Sequence, residues 1–158
     1  MFRDIVRFRQ AIGREECISI LKAEKRGVLS VNGDDGYPYC LPINHFYNDE
    51  DGHIYFHRGP TGHKLDAIRK DDRVCFCCYD QGFVKPGDWA LNIRSVVVFG
   101  RARIVEDHDK ALEISRRLSR KFTGDEAYIE REIRNAGARV LVYALVPEHI
   151  TGKRIHEA

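Results

Sequence analysis

The sequence predicts a mainly β fold, an antiparallel barrel of about six strands with helices at its periphery. Two observations predict it. Short runs rich in Val, Ile, Phe and Tyr are punctuated by turn clusters such as Asn32-Gly33-Asp34-Asp35-Gly36 and Asn48-Asp49-Glu50-Asp51-Gly52. Helical patterns are inserted among these runs, an order that suggests an antiparallel barrel with peripheral helices. No internal repeat or low-complexity tract competes with this reading.

Taken in order, Arg14 to Lys25 reads as a helix with Ile18 and Leu21 on one face beside Cys17, and Gly27 is placed to end it. Val28 to Val31 is a short strand. Tyr37 to Tyr47 is a second, whose Pro38 and Pro42 call for an edge position or a broken ladder. His53 to His57 is a third, and the three runs predict a meander. After the loop Arg58 to Gly62, a short helix runs to Lys70 with Leu65 and Ile68 inward. Val74 to Tyr79 is a strand whose alternation puts Cys75 and Cys77 on one face. Gln81 to Leu91 reads as a loop, and Ile93 to Val105 as a long strand with a bulge or bend at Gly100. A helix from Glu106 to Phe122 has acids at its start and Arg116, Arg117, Arg120 and Lys121 near its end, matching its dipole. Asp125 to Asn135 is a further helix. Arg139 to Val146 is an apolar strand that His149 to Arg154 extends.

The 158 residues suit one domain over the whole chain, long enough to bury a core without disulfide or metal staples. With 26 basic and 24 acidic residues, the net charge of +2 is too balanced for a nucleic-acid surface. No apolar run approaches a membrane span, and Met1 to Gln10 lacks the apolar centre of a signal peptide, so a cytoplasmic location is expected. Five cysteines, an odd number, argue for free thiols in a reducing compartment. Cys75-Phe76-Cys77-Cys78 lacks the spacing of a zinc site and reads as buried small apolar residues on a strand; no metal is expected. Serine-hydrolase, P-loop and Rossmann motifs are absent.

Three segments can carry chemistry. Tyr55 to Asp66 leads a strand through a glycine-bearing loop into a helix, an arrangement suited to phosphate: Thr61 offers a hydroxyl, Gly62 a close backbone approach, and His57, His63 and Lys64 donors or charge. The same stretch also reads as a plain strand–turn–helix with His and Lys in solvent. Leu41 to Tyr47 places a ladder break at Pro42 beside Asn44, whose amide can meet the polar edge of a flat ring; a solvated Asn on an edge strand is the other account. Arg94-Ser95 stands at a strand entrance after Trp89, which either covers a bound ring or packs in the core.

Arg26 to Val31, Tyr39 to Tyr47, Ile54 to His57, Gly62 to Asp66, Asp72 to Phe76, Ser95 to Ala102 and Ile150 to Lys153 occur in an order that resembles the pyridoxamine 5′-phosphate oxidase-like FMN-binding split-barrel superfamily, and within it the nitroimidazole-resistance (Nim-type) flavoproteins. The resemblance implies a six-stranded split barrel and a homodimer with FMN at the interface. It places Gly62, His63 and Lys64 near the FMN phosphate, and Pro42, Ile43 and Asn44 along the ring or ribityl chain. His57 faces the flavin and the substrate, and Arg94 and Ser95 arrive from the other subunit. Trp89 has no counterpart. The chain lacks the Arg-rich C-terminal signature of true pyridoxamine phosphate oxidases, which argues against pyridoxal phosphate synthesis. The activity implied is FMN-dependent reduction of nitroaromatic or other electron-poor small molecules, His57 supplying a proton or hydrogen bond. A deazaflavin-dependent reductase on the same fold, or a non-catalytic flavin or haem carrier with His45, His57 or His63 as axial ligand, is the alternative.

Overall fold

The computed structural model describes residues 1–58 and 61–158, the side chain of Arg58 apart. Its strands are β1 (Ala11–Ile12), β2 (Arg26–Asn32), β3 (Pro38–Asn44), β4 (Phe46–Asn48), β5 (His53–Arg58), β6 (Arg73–Tyr79), β7 (Phe83–Val84), β8 (Leu91–Ile104) and β9 (Leu141–His156). The α-helices are α1 (Arg14–Ala23), α2 (His63–Lys70), α3 (His108–Arg120) and α4 (Glu126–Ala136). One antiparallel sheet runs in the order β3-β2-β6-β8-β9-β5-β4 and curls into a split barrel, with β1 added to β9 and β7 to β8. Two turn-forming regions hold positive φ, at Asp35 and Gly36 and at Gly52, where the turn clusters were expected.

The expected meander forms with its middle strand broken: β2 pairs with β3 and β5 with β4, but the run 37–47 is split at His45, so β3 and β4 lie at opposite ends of the sheet and the other side of β5 pairs with β9. The cause is local. The His45 ring is fully buried and its Nε2–H donates to the Leu21 carbonyl at 2.7 Å, which takes the chain out of β3 toward α1. β3 is thereby left at the sheet edge, where Pro38 and Pro42 cost no ladder hydrogen bond. Gly27 does not end α1, which closes at Glu24 through a bond to the Ile20 carbonyl. Gly27 lies inside β2, where a Cβ would meet the Cys77 carbonyl at 2.6 Å and collide with the Phe76 ring. The loop 81–91 contains the two-residue strand β7. Gly100 marks a register shift between β8 and β9, since a Cβ there would strike the Val146 carbonyl.

The barrel interior is filled by Leu29, Val31, Phe56, Phe76, Val96, Val98, Tyr143 and Leu145, closed by Ile20 and Leu21 of α1 and Ala67 and Ile68 of α2. Each large apolar side chain fully buried there contributes roughly 1.5–3 kcal/mol. A second cluster lies outside β5 and β9, where Tyr55, Val142 and Ala144 meet Ala111 and Ile114 of α3. Asp107 and Asp125 cap α3 and α4 by accepting from the Lys110 and Tyr128 amides. The two helices are tied by Arg116–Glu130, 2.6 Å, and Arg120–Glu126, 2.8 Å, so their charges form an ion-paired surface.

Candidate functional site

The strand-to-helix passage β5–α2 has the form that suits an anion. Gly59 and Pro60 of its loop lie outside the described residues, and Thr61 is exposed. Gly62 caps α2 at φ 130° and ψ 161°, a conformation L side chains rarely adopt. Its carbonyl accepts from the Leu65 and Asp66 amides. Lys64 is only 3 % exposed, and its ammonium lies 5.2 Å from the centre of the Tyr143 ring, a cation–π distance. His57 is half-buried, and burial followed by the Lys64 charge lowers its pKa, which keeps the imidazole neutral at neutral pH. Alternation puts His57 on the β5 face shared with Tyr55, while Phe56 points into the barrel beside Tyr143. His63 is held by its own chain: its ring lies tilted against Tyr39 with centroids 4.3 Å apart and its Nε2 lies 3.3 Å from Asp34. Asp34 also pairs with Lys70 at 3.1 Å, so the β2–β3 turn is fastened to α2.

On β3, Pro42 is exposed opposite Val28, Asn44 is half-buried opposite Arg26, and Ile43 packs against the core. Pro42 and Asn44 therefore share a surface that the Ile43 side chain does not reach. Arg94 and Ser95 lie elsewhere. The β9 partner of His57 is Val142 and that of Ser95 is Lys153. At about 3.3 Å per residue, that stretch of strand is roughly 35 Å long. One chain does not bring Arg94 and Ser95 to Lys64. Arg94 is also engaged where it stands, donating to Asp80 at 2.7 Å and Glu16 at 3.0 Å, and Glu16 accepts from Arg154 as well, at 2.9 Å. These partners hold both carboxylates below their usual range.

A feature not anticipated from the residues is the outward face of β3, β2, β6, β8 and β9. Register aligns Pro42, Val28, Cys77, Val97 and Thr151 in one row, and Cys40, Ser30, Cys75, Phe99 and His149 in the next. The face is mostly small and apolar, yet Val28 remains 37 % exposed and Phe99 38 %. The N-terminal residue Phe2 stacks on Phe99 and His149 at 5.5 and 5.1 Å. Apolar residues at both parities in Val96-Val97-Val98-Phe99 were the available signal, since a strand covered on both faces loses its alternation. The account of the cysteines as buried residues holds for Cys78 but not for Cys75 and Cys77, which are half-buried on this face. Burial, then Cys77 and Cys40, pushes the Cys75 thiol up to about 11, so it stays protonated. Trp89 is 77 % exposed, which removes the core-packing account. His45 is engaged with Leu21 inside the protein and is closed to an external ligand. Among the described residues no group of three or more His, Cys, Asp or Glu is gathered as a metal site, and no helix is long and apolar enough to cross a membrane.

A family model described as pyridoxamine 5′-phosphate oxidase matches residues 13–154. No curated protein matches the sequence. Among solved structures, the fold is similar to a candidate 5-nitroimidazole antibiotic resistance protein from Bacteroides thetaiotaomicron, with a TM-score of 0.78 and 20% identity over 92% of this chain and 87% of that one. It is also similar to the conserved hypothetical protein Rv2991 from Mycobacterium tuberculosis, with a TM-score of 0.80 and 18% identity over 95% and 90% of the two chains. An FAD binding protein from Mycobacterium smegmatis aligns with a TM-score of 0.61 and 21% identity over 93% and 98%. These likenesses concern the fold.

Proposed function

The chain belongs to the pyridoxamine 5′-phosphate oxidase family, and on that premise we propose that it is an FMN-dependent oxidoreductase, acting as a cytoplasmic homodimer on nitroaromatic or other electron-poor small molecules. The observation that carries the reading is the passage into α2. Gly62 takes a backbone conformation reserved for glycine, and directly after it a lysine is buried at the start of a helix. Burial strengthens a lysine's interaction with a multiply charged anion, and the helix N-terminus adds partial positive charge.

The residues present fit a flavin phosphate on one side and leave the other side to a second copy. Gly62, His63 and Lys64 would hold the phosphate, and Pro42, Asn44 and the backbone of Ile43 would border the ring and ribityl chain. Arg94 and Ser95 would come from the partner, because one chain keeps them a strand's length away. The outward apolar face, open in a single chain, is the surface across which two copies would pair. When bound, FMN supplies the electron chemistry. The chain supplies orientation and proton handling. His57 is the candidate catalytic residue: held neutral by burial and Lys64, it donates its N–H as a hydrogen bond without being a standing acid at pH 7. Glu16 and Asp80 offset the Arg94 charge, so that residue contributes directed donors more than net charge.

The test is the absorption spectrum of the protein before and after incubation with FMN, followed by anaerobic reduction and addition of a nitroaromatic acceptor. Flavin absorbance that bleaches on reduction and returns with the acceptor supports the reading. Protein that stays colourless with FMN overturns it, a Soret band identifies haem instead, and the mass of the extracted ligand separates FMN from FAD and deazaflavin.

A further inference from the structure

We propose that the cavity between the N-terminal segment and the outward sheet face is a binding site for a small organic carboxylate with a compact apolar body. The cavity measures about 400 Å³, within the span of roughly 300–1,000 Å³ usual for small-molecule sites. Its roof is built, because the segment over it is fastened at both ends. Phe2 stacks on Phe99 and His149, and β1 pairs with β9 at Ala11–Lys153 and Ile12–Gly152. Between these anchors a 3₁₀ turn, Phe8–Gln10, closes with the Gln10 amide donating to the Arg7 carbonyl at 2.9 Å.

The lining divides by chemistry. Ile5 and Val97 offer apolar surface, with the exposed Val6 at the rim, Ser95 and Thr151 offer hydroxyls, and Arg7 and Lys153 offer positive charge from the roof and the floor. Among the described residues neither cation has an ion-pair partner, although the neighbouring Arg94 and Arg154 share Glu16. Two cations facing one cavity with no carboxylate between them favour an anion there, and the planar fork of an arginine matches a carboxylate. The apolar part of the lining calls for a hydrocarbon body, which inorganic phosphate lacks. The cavity is formed within a single chain; its floor of Ser95, Val97 and Thr151 belongs to the face proposed for pairing, so its place beside a flavin and a second copy rests on the proposed function.

The experiment is a calorimetric and NMR titration of the flavin-free protein with benzoate, with benzyl alcohol and inorganic phosphate as separate arms. It is repeated on Arg7→Gln and Lys153→Gln, both exposed side chains whose loss leaves the core untouched. Saturable benzoate binding that weakens about ten-fold or more in each variant, with benzyl alcohol and phosphate binding far more weakly, is the expected result. Benzoate that fails to bind, binding indifferent to both variants, equal binding of benzyl alcohol or of phosphate, or competitive displacement of benzoate by FMN each overturns the proposal. A parallel FMN titration of the same protein reads the flavin reading independently, so that either can fail alone.

Discussion

The two faces of β2, β6 and β8 are built from alternate residues of the same strands and meet opposite fates. Inward, Leu29, Val31, Phe76, Cys78, Val96 and Val98 are sealed by α1, α2 and the far wall of the barrel. Outward, Val28, Ser30, Cys75, Cys77, Val97 and Phe99 are comparably apolar but, among the described residues, have no helix laid over them, only the stacked Phe2 and the cavity beneath the N-terminal segment. In these central rows hydropathy does not separate the faces. What separates them is whether the chain has an element long enough and near enough to cover the surface. An apolar face that folding leaves open is a place for a ligand or a second copy.

Four measurements probe the two faces and the groups around them. The largest effect is expected inside: Phe76→Ala, which empties a fully buried ring, should cost about 4 kcal/mol in denaturant unfolding at pH 7. A loss under 1 kcal/mol would mean that the inner face is not the packed one. Next is acid. His45 is pushed down to about 3 by burial, then by Lys121, against an ordinary 6.5. Below pH 6.5 the unfolded chain takes up a proton that the folded chain refuses, so stability should fall with pH across that window, by roughly 3–5 kcal/mol in full. Unfolding of His45→Leu at pH 4 and pH 7 should show a flatter dependence than the parent, and an unchanged slope would assign the loss elsewhere. Third, Lys64→Met should weaken FMN binding about 10–100-fold in a fluorescence titration, the worth of one charged hydrogen-bond donor. Unaltered affinity would remove Lys64 from the phosphate site. The smallest effect on folding belongs outside: Val28→Lys should shift unfolding by less than about 1 kcal/mol while sedimentation reports loss of the proposed dimer. A dimer that survives with lysine at that position would mean the copies pair across another surface.

The sequence made the local architecture legible. The turn clusters at 32–36 and 48–52, the edge prolines of β3, the bulge at Gly100 and the inward Leu65 and Ile68 of α2 are where their chemistry requires. The site was legible in part. Gly62 and Lys64 stand together at the start of α2 as the strand–glycine–helix pattern indicated, and Arg94 and Ser95 were assigned to a second subunit by resemblance alone. Less visible was the split of Pro42 and Asn44 from Ile43, because a residue triplet conceals which of its side chains the sheet turns outward. Hidden altogether was His45, whose role is a hydrogen bond to the Leu21 carbonyl of α1.

By itself, then, the sequence determined the turns, the main strands and helices and their order, because these depend on residues a few positions apart and on the stereochemistry of glycine, proline and alternation. The tertiary structure alone decided that β5 joins β9 and not β3, that His45 breaks the second strand, and that one apolar face is filled while the other is left open. Those outcomes depend on groups far apart in the chain meeting at packing distance, and the loop-closure entropy and burial that govern such meetings leave no mark on any short stretch of residues.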